Sequence, residues 1–65
     1  MIGSEIRAAR LRAGLTQEGL ARQIDVTMNT VARWERGEFA PSPELAAKLA
    51  DVLGLRYEPA RLADR

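Results

Sequence analysis

A chain of 65 residues, 46% hydrophobic and 29% charged, has room for a single globular domain, which we expect to span residues 1–65. It contains no Cys and no His, so disulfides, zinc fingers and catalysis by Cys or His are excluded, and its net charge of +1 does not by itself indicate a polyanionic partner. Apolar runs never exceed three residues, which excludes a membrane span or the apolar core of a signal peptide, and we therefore expect a cytoplasmic protein.

The chain shows helical periodicity broken by capping residues, and no alternation typical of strands. We therefore predict an all-α fold, a compact bundle of four or five helices. Ser4 is predicted to cap the first helix, which runs to about Ala13, and Gly14 fits the left-handed position that ends it. The apolar face of this helix comprises Ile2, Ile6, Ala9 and Ala13.

The next two helices are short and follow each other closely. Thr16 is predicted to cap a second helix from Gln17 to about Ile24, and Asp25–Val26 form a two-residue turn. The apolar stripe of the second helix comprises Leu20, Ala21 and Ile24. Thr27 is predicted to cap a third helix, Met28–Arg36, which Gly37 ends.

Trp34 lies on the same face of the third helix as Val31, which predicts that both side chains are buried. A role for Trp34 in base stacking is the less favoured alternative.

The rest of the chain, residues 38–65, predicts one more clear helix. After a loop at Glu38–Pro41, the Ser42–Pro43 pair is a favoured cap and first position for a helix over Pro43–Leu53, closed by Gly54. Its buried residues are predicted to be Leu45, Leu49, Val52 and Leu53. The segment Arg56–Arg65 forms either a short fifth helix or a turn.

The second and third helices are joined by a turn too short for them to lie antiparallel, which predicts a helix-turn-helix over residues 16–37. The sequence TQEGLARQIDVTMNTVARWERG of this segment resembles the helix-turn-helix of the phage repressor, Cro and Xre family of DNA-binding proteins. The resemblance covers about residues 4–55 and includes the Trp34–Gly37 end of the third helix and the Pro41–Pro43 entry to the fourth. It implies a lambda repressor-like domain that binds a pseudo-palindromic operator as a dimer, with the third helix in the major groove.

Two positions depart from the family pattern. Asp25 stands where the turn usually has Gly, and Asp tolerates the left-handed conformation better than most residues. Gly19 lies inside the second helix and costs up to about 1 kcal/mol relative to Ala. Neither change removes the motif, but both predict a second helix of lower stability.

The third helix supplies the candidate base-reading residues. If Val31 and Trp34 face the core, then the opposite face points outward, and the resemblance assigns base reading to Met28, Asn29, Ala32 and Arg33. Asn pairs with adenine and Arg with guanine through two hydrogen bonds each, whereas Met and Ala contact thymine methyls. The alternatives are an ordinary solvated face and, for Arg33, a contact with phosphate only.

Other residues are candidates for contacts with the DNA backbone, because free N–H groups and the helix dipole attract phosphate at helix N-termini. They are Thr16, Gln17, Thr27, Thr30 and Arg36. For the two capping threonines, ordinary capping is an alternative that is compatible with this role.

The resemblance also predicts a structural ion pair between Arg10 and Glu35, the alternative being two unrelated surface charges.

These features predict a sequence-specific transcriptional regulator that acts as a repressor or autoregulator on double-stranded DNA. No constellation for catalysis, a cofactor, a metal or a small-molecule effector is visible, so we do not expect an enzyme. A homodimer is expected through Leu55, Tyr57 and Leu62, unless these residues only cover the core. Phe39 either packs on the core, the favoured alternative, or contacts a second copy. The competing hypothesis is a protein–protein adaptor, such as an antitoxin or co-regulator, that keeps this fold without binding an operator.

Overall fold

The structure, a computed structural model, describes residues 2–55, which form four α-helices. They are α1 (Gly3–Arg12), α2 (Gln17–Gln23), α3 (Met28–Glu35) and α4 (Pro43–Leu53). Residues 2–55 contain no strand, so the all-α prediction is confirmed. Helix α3 packs against both α2 and α1, and α1 also packs against α4. None of these helices is long and apolar enough to cross a membrane. The predicted fifth helix at Arg56–Arg65 lies outside the described residues.

Three of the four helices begin at the predicted caps. The Thr16 hydroxyl accepts a hydrogen bond from the Gly19 N–H at 2.9 Å, and the Thr27 hydroxyl accepts one from the Thr30 N–H at 3.1 Å. The Ser42 hydroxyl accepts from the Leu45 N–H at 3.3 Å, ahead of a proline in the first turn of α4. Each cap satisfies a backbone donor that has no partner within its helix, which stabilises the helix by about 1 kcal/mol.

The prediction that Ser4 caps the first helix is wrong. Helix α1 begins earlier, after Ile2, and the Glu5 carboxylate accepts a hydrogen bond from the Ile2 N–H at 2.8 Å. Gly3 makes this early start sterically feasible, because a Cβ atom there would lie 2.3 Å from the carbonyl oxygen of Trp34. The first turn of α1 therefore sits directly against the end of α3, at a distance that only glycine allows.

All four described helices end in the same way. A residue with φ between 61° and 78° follows the last turn, and the next N–H donates to a carbonyl five residues earlier at 2.8–3.1 Å. These bonds run from Leu15 to Arg10, from Val26 to Ala21, from Glu38 to Arg33 and from Leu55 to Ala50. This pairing is the Schellman motif, which turns the chain back over the helix it has just left. The predicted stops are confirmed, although the last helical residue of α1, α2 and α3 is one position earlier than expected.

Each of the four described helices contributes at least one side chain to the core. The five largest side chains that are 1% exposed or less are Ile6, Leu20, Val31, Trp34 and Leu49. Burying each side chain of this kind contributes about 1.5–3 kcal/mol. The placement of Trp34 in the core is confirmed. Three residues of α4 that were predicted to be buried, Leu45, Val52 and Leu53, are only partly buried, and Ala13, on the predicted apolar face of the first helix, is exposed.

Four large apolar residues within residues 2–55 are exposed, and two of them, Ile2 and Phe39, belong to groups that were predicted to face inward. Ile2 is 62% exposed, and Phe39, for which packing on the core was the favoured prediction, is 44% exposed. Both lie outside the regular helices, Ile2 ahead of α1 and Phe39 beyond the end of α3.

Candidate nucleic-acid interface

Helices α2 and α3 form a helix-turn-helix. The connection contains Asp25 at φ 61°, a left-handed conformation that glycine adopts most readily and that aspartate tolerates better than most residues. Val26 follows it and donates its N–H to the Ala21 carbonyl at 2.9 Å, which fixes the angle at which the chain enters α3. Ala21 is 2% exposed and belongs to the core, where its small side chain suits a close crossing of the two helices.

The two sides of α3 differ in polarity and burial. Val31 and Trp34 are buried, as the periodicity predicts. Of the four predicted base-reading residues, Met28, Asn29 and Arg33 are exposed, with Met28 52% exposed, whereas Ala32 is half-buried. The exposed side of α3 therefore offers one apolar side chain, one carboxamide and one guanidinium within its first six residues.

A buried network holds the end of α3 to the rest of the domain. The Arg10 guanidinium donates to both carboxylate oxygens of Glu35, from Nε at 2.7 Å and from Nη2 at 3.1 Å. Their side chains are only 9% and 4% exposed. Arg10 Nη1 also donates to the Leu15 carbonyl at 2.9 Å, and the Gln17 amide donates to Glu35 at 3.1 Å. This network joins α1, α2 and α3 at one point, and the predicted pair of Arg10 and Glu35 is its centre.

The network also controls the protonation of Glu35. Burial alone would raise the pKa of this carboxyl, but the hydrogen bonds from Arg10 and Gln17 and the positive charges of Arg10 and Arg7 outweigh burial and hold the pKa below its ordinary value. Glu35 is therefore ionised at neutral pH, as the bidentate contact with Arg10 requires.

The residues predicted to contact the DNA backbone all have partners within the chain. Thr16 and Thr27 use their hydroxyls as caps, and the Thr27 and Thr30 hydroxyls lie 2.9 Å apart. One N–H of the Gln17 amide is bound to Glu35, which leaves the second N–H of that group for another acceptor. Arg36 donates from Nε to Glu38 at 2.6 Å. A phosphate bound at this surface would therefore accept hydrogen bonds from N–H and O–H groups that these intramolecular contacts leave unused.

Sequence reasoning missed the cluster of charges just past α3. One carboxylate oxygen of Glu38 accepts from Arg33 Nε at 3.0 Å and the other accepts from Arg36 Nε at 2.6 Å. The hydrogen bonds from Arg36 and Arg33 hold the pKa of Glu38 below its ordinary value. The Arg33 guanidinium also lies over the Phe39 ring, 5.1 Å from its centroid. Gly37 was the available signal, because a left-handed residue at the end of a helix returns the chain toward that helix.

Comparison with known proteins agrees with this geometry. A family model described as helix-turn-helix matches residues 6–58. An uncharacterized HTH-type transcriptional regulator of Archaeoglobus fulgidus is 40% identical over 55 residues, which cover 85% of this chain and 79% of that protein. A protein of the same description from Methanothermobacter thermautotrophicus is 45% identical over 52 residues, covering 80% of this chain and 75% of the relative. The regulator YgzD of Bacillus subtilis is 34% identical over 55 residues, covering 85% and 83%.

The matched region contains all of α2, α3 and α4, the turn between α2 and α3, and most of α1. It also contains both members of the buried ion pair and every residue of the exposed side of α3. The chain therefore belongs to this helix-turn-helix family, the Xre/Cro-like group that its sequence resembles.

Proposed function

We propose that the protein is a sequence-specific DNA-binding regulator that inserts α3 into the major groove. One observation carries the proposal: α3 is fixed to the core on one side by Trp34 and the buried network of Glu35, while its other side presents Asn29 and Arg33 to solvent. A rigid helix with hydrogen-bonding side chains on its free side is what reading base edges requires. The relatives' description as HTH-type transcriptional regulators supports the proposal.

Each exposed side chain of α3 has a matching base in this proposal. The Asn29 carboxamide has the donor and acceptor that adenine N7 and N6 require, and the Arg33 guanidinium suits guanine O6 and N7. Met28 and Ala32 contact thymine methyl groups, Ala32 with the smaller area because it is half-buried. Contacts to the flanking phosphates are assigned to the group predicted from sequence, namely Thr16, Gln17, Thr27, Thr30 and Arg36.

We further propose that the protein represses transcription as a dimer that occupies a pseudo-palindromic operator. It would act in the cytoplasm, where the DNA of a bacterial or phage gene lies. A two-fold protein on a two-fold operator doubles the base contacts of one small domain. Leu55, Tyr57 and Leu62 are the proposed dimer contacts. Leu55 lines a shallow surface cavity beside α4 together with Ala47 and Ala50, and these apolar side chains support the choice of this end of the domain.

An adaptor without operator binding is the second candidate. The net charge of +1 favours it, and so does Glu38, because its carboxylate offsets the charges of Arg33 and Arg36 on the surface that would face DNA. A salt titration separates the candidates. A dimer that makes about 6–10 phosphate contacts loses roughly 10³–10⁵ in affinity between low and physiological salt, whereas an adaptor shows no DNA affinity to lose.

Selection of duplexes from a randomised pool tests the proposal directly. We expect enrichment of an inverted repeat whose half-sites lie about one helical turn apart. The matched control is the protein carrying both Asn29→Ala and Arg33→Ala, which should stay folded because both side chains are exposed. No enrichment at low salt, by wild-type protein shown to be folded, would refute operator binding. Equal enrichment by the control variant would refute the assignment of the reading residues.

A further inference from the structure

Glu38 bridges the two arginines on the proposed DNA-facing surface. Its position follows from the end of α3: Gly37 is left-handed, and the Glu38 N–H then donates to the Arg33 carbonyl at 3.0 Å. The side chain is thereby placed beside both Arg33 and Arg36, where each carboxylate oxygen accepts one bond. All three side chains remain 42–56% exposed. The cluster is accessible to a ligand and contributes little to the buried core.

The geometry of the contact leaves Arg33 able to bind a base. Glu38 occupies only Nε of that guanidinium, and the Phe39 ring covers one of its faces. A guanidinium has five N–H donors, so the two Nη groups at its outer end are not used by the Glu38 contact. Those two groups form the edge that matches guanine O6 and N7. Glu38 and Phe39 thus hold Arg33 in one orientation without occupying its reading edge.

We infer that Glu38 is a specificity-determining residue: its charge weakens the attraction of Arg33 and Arg36 to phosphate on any sequence, while its contact with Arg33 Nε keeps that side chain oriented toward a base. The inference rests on the proposed operator binding and extends it. Non-specific binding comes almost entirely from charge, so a carboxylate at the surface penalises it directly. On the operator Arg33 contacts a neutral base edge, whereas on other sequences it contacts a phosphate, so the repulsion between the Glu38 carboxylate and phosphate weakens binding more at incorrect sites.

The test compares Glu38→Gln with Glu18→Gln. The amide oxygen of glutamine can still accept from Arg33 Nε, but its NH2 group cannot accept from Arg36, so Glu38→Gln keeps the shape and removes the charge together with one of the two hydrogen bonds. Glu18 is the matched control because it is also an exposed carboxylate paired with an arginine, Arg22, at 3.2 Å, but it lies on α2, away from the cluster. Both variants gain one unit of net charge. Binding is measured to the selected operator duplex and to a random-sequence duplex of equal length over a range of salt concentrations.

For Glu38→Gln we expect roughly three- to tenfold tighter binding to the random duplex and a salt dependence steeper by about one unit of log–log slope. Binding to the operator should change by a smaller factor, so the ratio of specific to non-specific affinity falls at least threefold. Glu18→Gln should leave that ratio unchanged. Circular dichroism of each variant checks that the fold is retained.

Each result has a distinct meaning. An unchanged ratio in Glu38→Gln would overturn the inference while leaving operator binding intact. Equal effects of Glu38→Gln and Glu18→Gln would also overturn it, because net charge alone would then explain the change. Wild-type protein that binds the operator and random duplexes equally, or neither, would overturn the proposed function and this inference with it.

Discussion

Two arginine–glutamate clusters flank the end of α3, and they differ mainly in burial. Arg10 and Glu35 have side chains that are 9% and 4% exposed, whereas Glu38 and its two arginines are 42–56% exposed. A buried pair cannot lose one partner without leaving an uncompensated charge, whereas an exposed pair is solvated and easily exchanged. The buried ion pair therefore holds α3 to the rest of the domain, whereas the exposed pairs remain free to exchange partners with a ligand.

Removing the buried carboxylate should have the largest effect. We expect Glu35→Ala to destabilise the domain by about 3–5 kcal/mol, because Arg10 is left buried without a counter-charge. Domains of this size rarely have more stability than that, so the variant should be largely unfolded by circular dichroism. Glu38→Ala is the control from the exposed cluster, and its urea midpoint should match that of the wild type closely. Similar losses in the two variants would contradict the distinction between the clusters.

The second test concerns the close approach of α1 to the end of α3 at Gly3. A Cβ atom at Gly3 would lie 2.3 Å from the Trp34 carbonyl oxygen and 2.7 Å from that of Glu35, so Gly3→Ala must displace α1 from the end of α3. We expect a loss of about 1–3 kcal/mol in urea denaturation. Ser4→Ala next to it is exposed and makes no cap, so its midpoint should stay within about 0.5 kcal/mol of the wild type. A loss of about 1 kcal/mol at Ser4 would instead restore its predicted capping role.

Gly3 and Ser4 show why the start of α1 was not predicted correctly from the sequence. Thr16, Thr27 and Ser42 were identified as caps because capping depends on residues three positions apart. Ser4 satisfied the same local rule, but the contact of Gly3 with α3 and the bond from Ile2 to Glu5 moved the start of α1 forward. The reciprocal half of a capping box, a glutamate three residues after the cap, was the signal that favoured Ile2.

In the candidate site, too, the sequence predicted which residues face outward but not which side chains they contact. Helical phase alone placed Asn29 and Arg33 outside and Trp34 inside. Phase does not determine side-chain partners across a turn, so the contact of Glu38 with both arginines was missed, as was the bond between Gln17 and Glu35. The exposure of Phe39 has the same origin, since its ring stacks on Arg33 beyond the end of α3.

A third test follows from the exposed side of α3. Asn29→Ala should cost about 1–3 kcal/mol of discrimination at one adenine-containing position, because a pair of hydrogen bonds is lost there. Gln17→Ala should weaken binding to all sequences alike, since its proposed contact is with phosphate. Affinities for the selected operator and its single-base variants measure both effects. If both variants lost affinity with no change in base preference, Asn29 would not be a reading residue.

The smallest expected effect, which compares the two clusters through the protonation of their carboxylates, is the dependence of stability on pH. The folded pKa of Glu35 lies below the ordinary value of 4.5, so its contribution to stability is complete above that value and is lost as the pH falls through the folded pKa. Glu38 has the same direction of shift, but water and salt screen its exposed pairs.

We therefore expect acid to destabilise the wild type and Glu38→Gln with nearly the same slope below about pH 5. Glu35→Gln keeps an amide oxygen that accepts from Arg10, so it should retain more structure than Glu35→Ala, and acid should destabilise it with a shallower slope. Urea midpoints measured across this range at low and high salt give the comparison. Because the Arg10–Glu35 pair is buried, added salt should leave most of its slope in place. A slope abolished by salt, or by Glu38→Gln, would show that the exposed cluster, rather than the buried one, links protonation to folding.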